Sequence, residues 1–253
     1  MHDKEEIDFE KYQNRGAYHW QSYFGSILKI DCFLRGRYEV VIHLLKKSEA
    51  NKNSFILEIG CGDGALSGLI YKTFRCKLTG TEPSNLGIRF CKEMFARYNY
   101  KGTFENVGGY TFKFADNQFD FVVLADVIEH LQYPEKMLVE IKRVLKPGGR
   151  VIITTPIRTT EYPEDKMHVQ EFFPNELIAV CEPTFGNPVT KIYSHPLVWY
   201  ELYTFGKKIN RSVIRFYCRI LDKFFGTNLF FNNPVNSRWK NFKQQGLLLQ
   251  KKQ

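Results

Sequence analysis

"FILEIGCGDGAL", residues 55–66, sets the tightest limit on the fold of this chain. Phe55 to Ile59 has the near-continuous hydrophobicity of a strand buried on both faces. Gly60, Gly62 and Gly64 follow at once, three glycines in five positions. Glycines permit tight turns and let a ligand approach bare backbone. A strand running into such a turn, and then into the helix-like run from Ala65 to Phe74, is the opening unit of a layered α/β sheet.

The alternation continues. "CKLTGTE" (76–82) reads as a second strand and Asn85 to Tyr98 as a helix with Ser84 as its N-cap. "TFENV" (103–107) and "FDFVVLA" (119–125) are the third and fourth strands, and Pro134 to Leu145 is a helix stopped by "KPGG". "RVIITT" (150–155) is the fifth strand, and "NPVTKIYS" (187–194) and "GLLLQ" (246–250) add two more. The expectation is an α/β fold with a doubly wound, mostly parallel seven-stranded sheet, preceded by helices over the first 50 residues. Residues 1–50 are read as a helical cover, 51–196 as the core, and 197–253 as a basic aromatic insertion with the final strand of the same domain. In such sheets ligands bind at the carboxyl ends of the strands.

Charge and cysteine usage narrow the class. The formal net charge is +9, yet residues 1–196 carry 25 Lys and Arg against 25 Asp and Glu, so the whole excess lies in residues 197–253. A nucleic-acid binder would spread a basic surface over its body, and nucleic acid is not the expected partner. The six cysteines form no CxxC pair, which points to free thiols and a cytosolic setting. The acidic opening "MHDKEEIDFE" lacks the apolar run of a secretory leader.

The glycine spacing is Glu58-x-Gly60-x-Gly62-x-Gly64, whereas dinucleotide loops place their third glycine one residue later. Eighteen residues after Gly64 comes Glu82, at the end of the second strand. A carboxylate at that place can accept both ribose hydroxyls of an adenosine ligand.

"ILEIGCGDG", "GTEPS", "FADNQFDFVVLADVIEHL" and "VLKPGGRVIITTP", in that order, resemble the class I S-adenosylmethionine-dependent methyltransferases over about residues 50–180. The resemblance is to the broad group holding ubiquinone-biosynthesis O-methyltransferases and sugar and small-molecule methyltransferases, and it implies a Rossmann-like methyltransferase fold. By that resemblance Gly60, Cys61 and Gly62 lie against the methionine part of S-adenosylmethionine, with Glu58 near its amino end. Glu82 holds the ribose, Pro83 packs near the adenine, and Asp126 belongs to the same cofactor site. Relatives often have an acid after the third strand for the adenine amino group. Here "VGGYTFKF" puts Gly108 there, so either backbone near Gly109 and Tyr110 takes over or the adenine is held more loosely.

Methyl transfer to a hydroxyl needs alignment, exclusion of water and removal of a proton. His168, in "MHVQEFF", is a candidate general base or a loop anchor, and His130, in "ADVIEHL", stands where the resemblance puts acceptors. Asp126, Glu129 and His130 offer ligand types for a divalent metal, although capping and orienting the next helix is the favoured reading and no metal is expected. His19, in "AYHWQSY", belongs to an aromatic lid or to a helix packed on the domain.

Within 197–231, Arg211, Arg215, Arg219 and Lys223 recur at every fourth residue, while Val213, Phe216, Tyr217, Ile220 and Phe224 fall mainly on other faces. Three roles fit: an anionic membrane surface met peripherally, phosphates of RNA or a nucleotide-linked sugar, or a lid or dimer helix whose apolar face packs on its own protein, the last being the commonest use of such faces. The expected activity is O-methylation of a small-molecule, sugar or lipid-linked acceptor. Rival readings are a catalytically silent module binding the same cofactor, or an RNA or protein N-methyltransferase. The latter lacks its Asn/Asp-Pro-Pro-Tyr-type tetrapeptide.

Overall fold

The computed structural model describes residues 10–163, 165–204, 208–231 and 239–252. Parts of the expected cover (1–9) and of the C-terminal insertion (205–207, 232–238 and 253) lie outside the described residues. The chain opens with α1 (Glu10–Arg15), α2 (Tyr18–Phe24) and α3 (Cys32–Lys47), and then enters β1 (Phe55–Ile59). There follow α4 (Ala65–Phe74), β2 (Lys77–Glu82), α5 (Asn85–Arg97), β3 (Thr103–Asn106) and β4 (Phe119–Ala125). After them come α6 (Pro134–Val144), β5 (Leu145–Pro156), α7 (Pro174–Phe185) and β6 (Thr190–Pro196). The chain closes with α8 (Leu197–Thr204), α9 (Lys208–Phe225) and β7 (Phe242–Gln250).

The seven strands form one sheet in the order β3-β2-β1-β4-β5-β7-β6, with β7 antiparallel to both its neighbours and the other pairs parallel. Strand order reverses between β1 and β4, so the switch point lies where Ile59 enters the glycine turn and Ala125 leads to Asp126. Period-two alternation sends Ile56, Val123 and Ile152 to one face, against α3, α4 and α5. Leu57, Val122, Leu124, Val151 and Ile153 go to the other, against α6 and α7. Both faces are covered, which is why these strands read as unbroken hydrophobic runs.

Two elements depart from the sequence expectation. The helix ends at Val144, where "KPGG" marks its stop, but β5 starts earlier than expected, at Leu145 directly after α6, and runs through "KPGG" with a register shift against β4 between Phe119 and Phe121. Gly148, at φ +76°, takes the irregularity. Helix α7 was not anticipated, although Pro174 stands at its first turn and the Glu176 carboxylate accepts from the Phe173 amide at 2.9 Å.

Candidate functional site

The turn after β1 needs its glycines for backbone reasons. Gly60, Gly62 and Gly64 all have positive φ, at +70°, +59° and +81°, the left-handed region where a side chain is strained. Space is short as well: a Cβ on Gly60 would come 2.5 Å from a Val127 methyl, and one on Gly62 2.6 Å from the Tyr12 hydroxyl oxygen. The turn is tied to β2 by the amides of Gly60 and Cys61, which both donate to the Thr81 carbonyl.

Glu82 ends β2 beside this turn. Its carboxylate accepts from the Gly62 amide at 3.0 Å and from the Ser84 amide at 3.2 Å. Gly108 follows close by: a Cβ there would sit 3.7 Å from that of Pro83. Gly109 is also left-handed, at φ +93°, and Tyr110 turns to Tyr133, accepting from its amide at 3.0 Å. A bare-backbone turn with a carboxylate at the end of the next strand is the arrangement expected to receive a nucleoside carrying an amino-acid tail. The sequence expected Glu58 near the amino end of that tail. The Glu58 carboxylate is instead buried, bound to the Ser67 hydroxyl of α4, and burial pushes it up to about 8. The Cys61 thiol, 3.7 Å from Cys91 and raised well above its usual range by burial, is no nucleophile.

The N-terminal helices close over this turn. Asp63, which the sequence reading passed over, accepts from the His19 amide at 2.9 Å and lies 3.2 Å from His19 Nδ1, while its carbonyl accepts from Trp20 Nε1 at 2.7 Å. Trp20 is buried, stacked against Phe24 and Tyr98. Thus "AYHWQSY" is a helix packed on the domain that also pins the glycine turn. Tyr12 of α1 is buried over Gly62, and burial followed by the Glu82 and Asp63 charges raises its hydroxyl far above its usual range.

On the other side of the 126–127 segment lies a cavity of about 580 Å³, lined by Phe33 and Arg37 of α3, His168, Tyr200 of α8, and Lys243 and Gln244 of β7. Asp126 is held by two of these lining residues, Arg37 and Gln244. It sits at φ +53°, accepts from Gln244 and Thr154, and pairs with Arg37 at 2.9 Å. Val127, the next residue, is the one against Gly60.

His168 and Glu171 were legible only as "MHVQEFF". In space, His168 Nδ1 donates to the buried Glu171 carboxylate at 2.6 Å. That bond fixes the tautomer and leaves Nε2 as the acceptor. His130 Nδ1 likewise donates to the Met167 carbonyl at 2.9 Å, and the two imidazole centroids stand 5.0 Å apart. The metal-ligand grouping therefore differs from the sequence trio. Glu129, His130 and His168 bring ligand atoms within 4.8 Å of one another, whereas Asp126 is spent on Arg37 and Gln244. Burial, with Asp126 nearby, pushes the Glu129 carboxyl up to about 8. Its oxygen accepts from the Thr155 hydroxyl at 3.0 Å.

Comparisons with known proteins agree with this geometry. Residues 57–153 match the family described as "Methyltransferase domain". A Caenorhabditis elegans sterol 4-C-methyltransferase is 32% identical over 125 residues, 49% of this chain and 37% of that protein. A Mycolicibacterium smegmatis fatty-acid O-methyltransferase is 32% identical over 133 residues, 51% of this chain and 47% of that protein. The chain thus spans less than half the length of these curated relatives. Among solved structures, Haemonchus contortus phosphoethanolamine N-methyltransferase 2, in complex with phosphomonomethylethanolamine and S-adenosylhomocysteine, superposes with a TM-score of 0.63 at 15% identity, covering 96% of this chain and 58% of that one. At that identity the likeness is one of fold. Sequence match, strand order and glycine turn converge: residues 57–153 are similar to a methyltransferase domain, set in a fold like that of the class I S-adenosylmethionine-dependent methyltransferases.

Proposed function

We propose that this chain transfers a methyl group from S-adenosylmethionine to a hydroxyl of a small-molecule, sugar or lipid-linked acceptor, with His168 as the base. The observation that carries the reading is the placing of an imidazole tied to Glu171 in a cavity whose lining residues Arg37 and Gln244 hold Asp126, the neighbour of the residue packed on Gly60. When bound, S-adenosylmethionine supplies an electrophilic methyl on a sulfonium. The turn at 60–64 and Glu82 bind and orient it, and Tyr12 and Trp20 exclude water from that side. His168 takes the acceptor's proton at Nε2, while Glu171 holds Nδ1–H and favours the imidazolium that forms. Glu129 is a poor base here, because near neutral pH its carboxyl already holds a proton.

Calorimetric titration of S-adenosylmethionine and S-adenosylhomocysteine into wild type and Glu82→Ala tests the donor half. Micromolar binding that the substitution weakens tenfold or more, about 1.4 kcal/mol, is expected. No binding to the wild type would remove the methyl-transfer reading.

A further inference from the structure

The basic amphipathic helix is mounted the other way round from the expectation that its apolar face packs on the protein. Its polar side faces inward. Arg219 Nε donates to the Ile30 carbonyl at 2.9 Å, Arg215 Nε to the Tyr203 carbonyl at 3.1 Å, and Arg211 to the Thr204 carbonyl at 3.3 Å. Asp222, one turn on, is buried and receives a two-pronged pair from Arg35 of α3, at 2.6 and 3.0 Å. Asn228 adds a bond to the Cys32 carbonyl at 3.0 Å. Three of the four residues in the basic stripe are therefore anchors on the protein's own carbonyls.

What remains outside is apolar. Phe224 and Phe225 are 71% and 70% exposed, and Val213, Phe216 and Tyr217 continue the same side of α9 at helical spacing. On α8, Val198 and Leu202, one turn apart, are exposed too. An aromatic and aliphatic run of this kind along one helix marks an interaction surface rather than scattered exposure.

Charge decides the occupant. Residues 197–253 carry 11 basic residues against Glu201 and Asp222, and Asp222 is consumed by Arg35. Lys223 is exposed beside Phe224. The apolar face thus belongs to a cationic segment, which complements an anionic lipid surface; a second copy would set one cationic segment against another. Phe and Tyr are also side chains that settle at the boundary between headgroups and acyl chains. We infer that the outer face of the α8–α9 hairpin docks on an anionic membrane surface, lying in its interface without spanning it. Among the described residues no helix is long and apolar enough to cross a membrane. Tyr200 of the same hairpin lines the cavity beside His168, so docking sets that wall of the cavity at the lipid surface; this consequence rests on the methyl-transfer reading, while the docking itself does not.

The test is flotation of the full chain with phosphatidylcholine vesicles and with vesicles containing about one third phosphatidylglycerol. Wild type is expected to float with the anionic vesicles and to lose binding as salt rises. The double variant Phe224→Ser/Phe225→Ser is expected to bind them about tenfold more weakly, with its melting temperature and S-adenosylmethionine titration unchanged. Equal flotation of the variant would overturn the proposal, as would wild type that stays unbound. So would a light-scattering mass showing a wild-type dimer, absent from the vesicles, that the double variant separates into monomers. Failure of the methyl-transfer reading shows instead in the S-adenosylmethionine titration, whatever the vesicles do.

Discussion

The two walls of the cavity region are held by opposite means. On the donor side the backbone does the work: three left-handed glycines, two amides on the Thr81 carbonyl, and a buried carboxylate receiving two more amides. Side chains there pack closely, Trp20 above all. On the hairpin side, α9 is fixed by a few polar side chains reaching α3 and the loop before it, with only a small apolar cluster of Cys32, Tyr203, Cys218 and Phe230 beneath. Close-packed backbone resists gradual change, whereas a hairpin on polar anchors depends on each of them. The donor wall is consequently the rigid reference against which the hairpin is set.

The sharpest break should come at Asp222. Its pair with Arg35 is largely buried, with side-chain exposures of 2% and 15%. Removing one member of such a pair leaves the other charge unmatched away from water, which costs about 3 kcal/mol or more. Asp222→Ala should lower stability to urea by that amount. Loss confined to the hairpin would leave S-adenosylmethionine binding intact, because Gly60 to Glu82 share no contact with Asp222. A drop under about 1 kcal/mol would show that the pair is not what mounts the hairpin.

An intermediate effect belongs to the segment between the two walls and depends on pH. The Glu129 carboxyl is pushed up to about 8 in the folded chain, against about 4.3 when unfolded. Between those values the folded state holds a proton that the unfolded chain releases, so stability is fullest at the lower end and falls as pH rises through the window. The slope from this group is at most about 1.4 kcal/mol per pH unit. Glu129→Gln keeps an oxygen for the Thr155 hydroxyl and removes the titration. Urea midpoints followed from about pH 5 to about pH 8 should fall less steeply for the variant than for the wild type. Parallel curves would mean that Glu129 is ionised in the fold. Glu58, also raised to about 8 by burial, leaves the variant with a residual slope of the same sign.

How much of this was legible in the sequence follows the same division. β1, β4 and α4 fall on the residues the hydrophobic runs and glycines marked, because a strand buried on both faces and a left-handed turn each admit few residue types. Glu82 was legible for the same reason: its spacing from the turn is fixed by one βαβ unit. Arg37 and Gln244 were not, since what joins them to Asp126 is tertiary placement of distant segments, whereas Glu171, three residues after His168, stood in the stretch the sequence marked without its role. Asp63 carried a local signal, an acid inside the glycine turn, and could have been found. On α9 the period separated two faces correctly but said nothing about which was inward. That was decided by Asp222 and by carbonyls of residues 30, 203 and 204, which no periodicity records.

The smallest effect tests that inversion most directly. Phe224→Ser removes an aromatic ring from a helix, which in a packed core would cost several kcal/mol. Here the ring is 71% exposed, so the folded chain gives up little burial and the loss should stay within about 0.5 kcal/mol. Ser and Phe have nearly equal helix propensity, so that term adds little. Urea denaturation of the single variant beside wild type reads the difference directly. A loss above about 2 kcal/mol would mean that the ring is covered in solution, by a second copy or by the chain itself, and the outward face would have to be redrawn. A near-zero change keeps the face free, so that any loss of vesicle binding in the double variant belongs to contact with lipid and not to unfolding of the hairpin.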